Sequence, residues 1–309
     1  MFDREIFDEV RKEFLSHLRY TRGHSPRTCY NYHSDLGIWA GFIAEAGKDW
    51  QRVGAADVEQ FTAWQLRERG VGAHLVSRRL SCLSTFYRWA KKHEIVVDDP
   101  VYLADKPKRP HRIPVWLARE EQTALETAAR RVDDIPDNIF GQKREHLAAI
   151  RQRYEVLFGL LLNSGLRITE ALNLKVRDVG LRDGVARSLR VIGKGDRERL
   201  VPLPAAFGQT FGAWLQDRPA EEWVFAQRPQ GRPPGAGAAR AYLRRLKEMA
   251  CIAKPLTPHK LRHTYATNRL NAGAELVDIK ALLGHESIST TQIYTNVGQE
   301  RMATVVNKL

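Results

Sequence analysis

Cysteine is scarce in this 309-residue chain: Cys29, Cys82 and Cys251 are scattered, odd in number and form no CxxC pair. That argues against a disulfide framework and against a thiolate zinc site. Long apolar runs are missing too. The longest near the middle, Val156 to Leu162, is far too short to span a bilayer. The first residues, MFDREIFDEV, are acidic and amphipathic, whereas a secretory leader needs a basic start and an apolar stretch. There is no P-loop, no carboxylate cluster of the two-metal kind, no internal repeat and no low-complexity tract. These absences predict a soluble, cytoplasmic globular protein with no membrane association, and 309 residues exceed one average domain, which predicts two packed units.

What the chain has in excess is positive charge. Lys and Arg number 49 against 36 Asp and Glu, a formal net charge of +13 with an isoelectric point near 9.8. Residues 1–105 hold 15 side chains of each sign, so the whole excess lies in the C-terminal two-thirds. A polyanion such as double-stranded DNA is the partner this favours, because phosphate neutralisation releases counterions. An anionic membrane surface or simple solubility would also use such charge.

The N-terminal third reads as four short helices in a bundle. Ile6, Phe7, Val10, Phe14 and Leu18 fall on one helical stripe. Ser25-Pro26 looks like an N-cap followed by proline in the first turn, with Tyr32, Leu36, Trp39 and Ile43 behind it. Asp57 is placed to open a third helix through Phe61 and Trp64. A fourth, around Val76–Ala90, carries Leu80, Leu83, Phe86 and Tyr87 inward beside Arg78, Arg79 and Arg88. Then comes a proline- and cation-rich stretch, Lys106-Pro107-Lys108-Arg109-Pro110-His111-Arg112-Ile113-Pro114, predicted to be an extended linker. Its Lys106, Lys108 and Arg109 could track a DNA backbone, although any interdomain linker is polar.

Beyond the linker, Leu117–Arg131 and Gln152–Asn163 read as helices, with a polar insert at roughly Asp133–Ala149 between them. A helix over Arg167–Leu174 follows. Val185–Ile192 and Arg197–Leu203 then look like two strands joined at Gly193-Lys194-Gly195-Asp196, a hairpin turn. Gly231 to Gly237 is a loop by composition, and the remainder is helical. The predicted class is mainly α in two domains, the second mostly helical with a small antiparallel β-sheet.

Several residues in this second part carry chemistry. Arg167 and Glu170 are three apart, so the carboxylate can hold the guanidinium in one orientation; alone, such a pair is usually a surface salt bridge. Thr257-Pro258 begins a helix, and His259, Arg262 and His263 then share a face near its electropositive end, which suits phosphate. His259-x-x-x-His263 also has zinc-ligand spacing, with His285 as a possible third ligand. Against zinc stand the cationic Arg262 on the same face and the missing glutamate of HExxH. Glu275–Leu283 reads as a short helix ended by Gly284, with His285 just beyond and Tyr294 in the following STTQIYT segment. A lone tyrosine is ordinarily packing or surface.

Taken together and in order, Arg167 in SGLRITEAL, Lys194 in GKGDRERLVPL, His259-x-x-Arg262 in TPHKLRHTYAT, His285 in LLGH and Tyr294 in STTQIYT resemble the signature of the tyrosine recombinases, nearest the Xer-type and integrase branch. Arg79-Leu80-Ser81 with Phe86-Tyr87-Arg88 resembles that family's core-binding domain, so the resemblance spans nearly the whole chain. Asn296 departs from the pattern, standing where Xer proteins commonly carry histidine. The Asp133–Ala149 insert is also longer than the Xer pattern needs.

The resemblance implies a SAM-like core-binding domain at 1–105, the linker at 106–114 and a catalytic domain at 115–309. It implies that Tyr294 attacks a DNA phosphodiester and keeps the broken strand as a 3′-phosphotyrosine. Arg167, Arg262, His259 and His285 would stabilise the phosphoryl oxygens, Glu170 would support them, and Lys194 would act as general acid. It further implies no metal, no other cofactor, no small-molecule substrate, and a homotetramer on two DNA sites passing through a Holliday junction. A type IB topoisomerase shares this chemistry, and a non-catalytic DNA-binding protein could share the fold.

Overall fold

The computed structural model describes residues 2–105, 107, 115–130, 144–193 and 197–284. They belong to two compact units, Met1–His111 and Arg112–Leu309, and the division falls inside the segment predicted to be a linker.

In the first unit, helix α1 (Arg4–Ser16) begins at Asp3, whose carboxylate accepts the Ile6 N–H at 3.1 Å. It runs into a π-helical turn at His17–Thr21. Phe7, Phe14 and Leu18 are buried as predicted, but Ile6 is 46% exposed. One residue is a 100° step around a helix, so Ile6 lies off the stripe that Phe7 and Phe14 define. Helix α2 (Pro26–Glu45) starts as predicted: the Ser25 hydroxyl accepts the Thr28 N–H at 3.2 Å and Pro26 needs no donor there. Asp57 is not the opening residue of α3 (Ala55–Arg67). It is the third residue, and its carboxylate reaches back to accept the Gly54 N–H at 2.9 Å while pairing with Lys48. Helix α4 (Ala73–Lys92) and a single-turn α5 (Pro100–Leu103), which the sequence did not signal, complete the unit.

The core of this bundle is aromatic. Phe7, Phe14, Trp39, Phe61 and Phe86 are fully buried, and Trp39 meets Phe61 edge-on at 5.0 Å. Its polar tips are satisfied in a chain: Trp39 Nε1 donates to the Tyr87 hydroxyl at 3.0 Å, which donates to the Trp50 carbonyl at 2.9 Å.

The second unit is organised on α7 (Arg144–Ser164), which lies against α6 (Arg119–Arg130). Helix α7 is longer than the sequence suggested, so residues 144–149 of the stretch read as a polar insert are its first turns; 133–143 lie outside the described residues. Leu157, Leu160 and Leu161 are fully buried, and Tyr154 stacks on Tyr242 at 4.1 Å.

After a five-residue α8 (Ile168–Leu172) and a 3₁₀ turn at Val176–Asp178, the sheet has three antiparallel strands in the order β1 (Val179–Arg182), β2 (Val185–Ile192), β3 (Glu198–Pro202). Strand β1 escaped the sequence because it has four residues, of which only Val179 is buried, too short to show alternation. The β2–β3 hairpin is as predicted: Ile192 pairs with Glu198, and the Gly193 N–H donates to the Arg197 carbonyl at 2.8 Å. Helices α9 (Ala205–Leu215), α10 (Ala236–Met249), α11 (Pro258–Asn271) and α12 (Leu276–Leu283) follow, with α9 packed on β2 and α11 on α7. No helix among the described residues is long and apolar enough to cross a membrane.

Candidate active site

Helix α7 ends where Gly165 takes φ +64°. That left-handed turn lets the chain leave in a new direction, and Arg167 follows in an extended conformation (φ −69°, ψ 147°) as the cap of α8. Arg167 therefore precedes the helix, where the sequence placed it in the first turn. Glu170, one turn in, closes back on it: Oε2 accepts the Arg167 N–H at 2.9 Å and Oε1 accepts Arg167 Nη1 at 2.7 Å. The side chain of Arg167 is 41% exposed, that of Glu170 only 7%. This is not the surface salt bridge the pair would make on its own. Arg167 and Glu170 line an open cleft together with Ile192 and Gly193 at the end of β2.

Arg262 comes from α11, whose start matches the sequence: Thr257 Oγ1 accepts the Lys260 N–H at 3.3 Å and Pro258 fills the first turn. Its guanidinium is 1% exposed and lies between two turns of chain. Nη1 donates to the Gly165 carbonyl at 2.9 Å and Nη2 to the Leu283 carbonyl at 2.6 Å. It also pairs with Glu170 Oε2 at 3.8 Å. Burial pushes the Glu170 carboxyl up, but hydrogen bonds from Arg199 and from the Arg167 backbone, with the charge of Arg199, outweigh this and hold it below its ordinary 4.5. Glu170 is an anion that orders arginines.

His259 sits one turn before Arg262, exposed, with its ring edge-on to His263 at 4.6 Å. Neighbouring protein strips part of its hydration, and the charges of Arg262, Lys260 and Arg167 add to this, holding the imidazole below 6.5. In its neutral form the ring has one N–H to donate and one nitrogen that can accept. Among the described residues no group of three His, Cys, Asp or Glu side chains gathers as a metal site.

The structure thus brings Arg167, Glu170 and Arg262 together, with His259 beside them. Lys194, His285 and Tyr294 lie outside the described residues, as do Lys106, Lys108 and Arg109 of the linker. The residues leading to two of them, Gly193 and Gly284, are in place.

Of the arginines singled out in the bundle, Arg79 is turned inward. Its Nη1 donates to Gln65 Oε1, its Nε lies 3.5 Å from Asp35, and its side chain is 11% exposed. Arg78 holds the other side of Asp35 at 2.7 Å with its side chain 41% exposed, and Arg88 is exposed.

The sequence missed Arg199. On β3 it stands two residues before the fully buried Val201, on the same face. Period-two alternation was a usable signal, since an arginine on the inward face of a strand needs a partner. Both its Nη atoms donate to Glu170, at 3.3 and 2.8 Å.

Residues 137–301 match the phage integrase family, and residues 12–94 match the phage integrase N-terminal SAM-like domain. The chain belongs to the phage integrase family: it is a tyrosine recombinase, an enzyme that transfers DNA strands. It is 34% identical to the tyrosine recombinase XerD of Proteus mirabilis over 97% of this chain and 92% of the relative. It is 30% identical to the tyrosine recombinase XerC of Halalkalibacterium halodurans over 96% of each. In fold it is similar to the XerH site-specific recombinase bound to palindromic difH substrate (TM-score 0.74, 18% identity, 96% of this chain and 84% of that one). It is also similar to a lambda integrase from a tetramer bound to a Holliday junction (TM-score 0.67, 18% identity, 91% and 77%).

Proposed function

We propose that this enzyme is a site-specific DNA recombinase that cuts and rejoins double-stranded DNA through a 3′-phosphotyrosyl intermediate. The observation that carries the reading is the grouping of Arg167 and Arg262 around one buried carboxylate, Glu170. A phosphodiester resists attack because its charge repels nucleophiles and grows toward the transition state. Paired guanidinium donors held in place before the reaction stabilise that charge. Two arginines supply the neutralisation that a metal gives in other phosphoryl transferases, so no cofactor enters the scheme.

In this scheme the Tyr294 oxygen bonds to phosphorus as the bond to the 5′-oxygen breaks. Lys194 gives its proton to the departing oxygen, and the neutral His259 can take the phenol proton while donating its own N–H. The phosphotyrosine conserves the bond energy, so rejoining to a new strand needs no ATP. Exchange of all four strands calls for a homotetramer on two sites and a Holliday junction; the lambda integrase similar in fold is a tetramer bound to a Holliday junction. Residues 1–105 serve as core-binding domain, 106–114 as a basic linker along the DNA, and 115–309 as catalytic domain.

The test is a nicked suicide substrate carrying the recombination site, with an intact second duplex. Wild type should give a covalent adduct and strand exchange, and Tyr294→Phe should bind with near-native affinity yet give neither. Adduct with relaxation alone would assign a topoisomerase, and binding alone a non-catalytic role. A persistent adduct in Tyr294→Phe would remove that residue from the nucleophile's place.

A further inference from the structure

Arg199 makes more connections than a charge partner for Glu170 requires. It pairs with Val191 across the β2–β3 ladder, so the strand fixes its backbone one pair from the Ile192–Glu198 end of that ladder. Its Nε donates to the Leu282 carbonyl at 3.1 Å, in the last turn of α12. Its two Nη atoms grip the Glu170 carboxylate.

The same guanidinium also borders two glycines. A Cβ at position 193 would lie 3.4 Å from Arg199 Nη1, and one at 284 would lie 3.0 Å from it. Gly193 directly precedes Lys194 and Gly284 directly precedes His285. One planar group therefore lies beside the strand end that precedes Lys194 in sequence, and bonds both the helix end that precedes His285 and the carboxylate that orients Arg167.

We propose that Arg199 is a positioning residue for DNA cleavage. It acts through Glu170 and the C-terminus of α12 to set Arg167, Lys194 and His285 relative to one another. The inference rests on the roles given to those residues above. Simple stabilisation is a poor account of the arrangement, because a buried ion pair contributes little against a well-packed apolar alternative. What arginine supplies here is shape. Its rigid fork can address a carboxylate with two donors and a carbonyl with a third, which a lysine ammonium on a flexible stem cannot do in one geometry.

The test is single-turnover cleavage of the suicide substrate at saturating DNA by the full-length wild type, Arg199→Lys, Arg199→Ala, Glu170→Gln and the Arg199→Ala/Glu170→Gln double variant. Binding affinity and melting temperature are measured alongside. Arg199→Lys keeps the charge and is the variant to rely on if Arg199→Ala does not fold. We expect it to melt near wild type and bind DNA within about threefold, yet cleave roughly a hundredfold more slowly, the cost of about 1 Å of misplacement. The double variant should be no slower than its slower parent, since both substitutions break one connection. Cleavage by Arg199→Lys within about threefold of wild type, well short of the loss that misplacement brings, would overturn the proposal. So would multiplicative losses that track melting temperature. Wild-type protein that forms no adduct would instead overturn the phosphotyrosyl reading and this role with it.

Discussion

Arg262 Nη1 donates to the Gly165 carbonyl at 2.9 Å, joining α11 to the turn after α7 across 97 residues of sequence. That turn has room for nothing but glycine. Its φ is +64°, and a Cβ there would lie 2.4 Å from Tyr265 Cδ1. Gly165→Ala should cost about 2–5 kcal/mol, combining the left-handed backbone penalty with overpacking. Urea denaturation measures this, and adding Tyr265→Ala should recover the overpacking share. An unchanged midpoint in the single variant would show that the turn relaxes freely. Cleavage by the folded fraction should also fall, because the carbonyl that holds Arg262 is displaced.

The arginines of the bundle should separate by role. Arg79→Ala leaves Asp35, 2% exposed, with Arg78 as its remaining ion-pair partner. The buried Asp35 carboxyl is already pushed up by burial against the pull of Arg78 and Arg79. The substitution should destabilise the protein by about 1–3 kcal/mol. Arg88→Ala should leave the melting temperature alone and weaken DNA binding with a shallower salt dependence, as expected for loss of a phosphate contact. A salt slope unchanged by Arg88→Ala would remove Arg88 from the DNA interface.

Part of this was legible beforehand for a physical reason. Thr257-Pro258, Ser25-Pro26 and Gly284 announce helix ends because capping is local chemistry, and each is where the sequence put it. Arg167 and Glu170 could be paired from their spacing, but Arg262 could be joined to them only by likeness to a family, since residues so far apart in sequence meet through packing. Arg199 was hidden because its role is tertiary: nothing near it in sequence says that Glu170 and Leu282 will be its partners. The first turns of α7 were misread because residues 144–149 are mixed in polarity and their helical state is inherited from the apolar segment beyond them. The short β1 depends on β2 for its hydrogen bonds, which no local pattern records.

Glu170 gives the site a pH signature. Its folded pKa lies below the ordinary 4.5, so it contributes stability that is fully present above that value and is lost as pH falls through the folded pKa. Glu170→Gln removes this contribution while keeping a hydrogen-bond acceptor. The variant should be less stable at pH 7 by about 2–3 kcal/mol, under the full cost of breaking a buried ion pair. The gap should close as pH drops below about 4.5. Denaturant melts at pH 7, 5 and 3.5 measure it, and a gap constant across that range would mean that shape, not charge, is what Glu170 supplies.

Lys194 gives the most discriminating chemical test. The β2–β3 ladder runs to the Ile192–Glu198 pair and ends on the Gly193-to-Arg197 hydrogen bond, so in sequence this lysine falls between the ends of two paired strands. Two roles are open to it: a cation contacting the DNA backbone, or the acid that protonates the departing 5′-oxygen. A backbone contact supports binding of any substrate, so its loss should slow all substrates alike and modestly. A general acid matters only while the leaving group is poor. Lys194→Ala should therefore bind the site but cleave ordinary DNA very slowly. On a substrate with sulfur in the 5′-bridging position, whose thiolate leaves without a proton, it should cleave at nearly the wild-type rate. Arg167→Ala should be slow on both, because the charge it stabilises sits on the non-bridging oxygens whichever atom departs. Equal failure of Lys194→Ala on the oxygen and sulfur substrates would make Lys194 a positioning contact and pass the acid's role to another group.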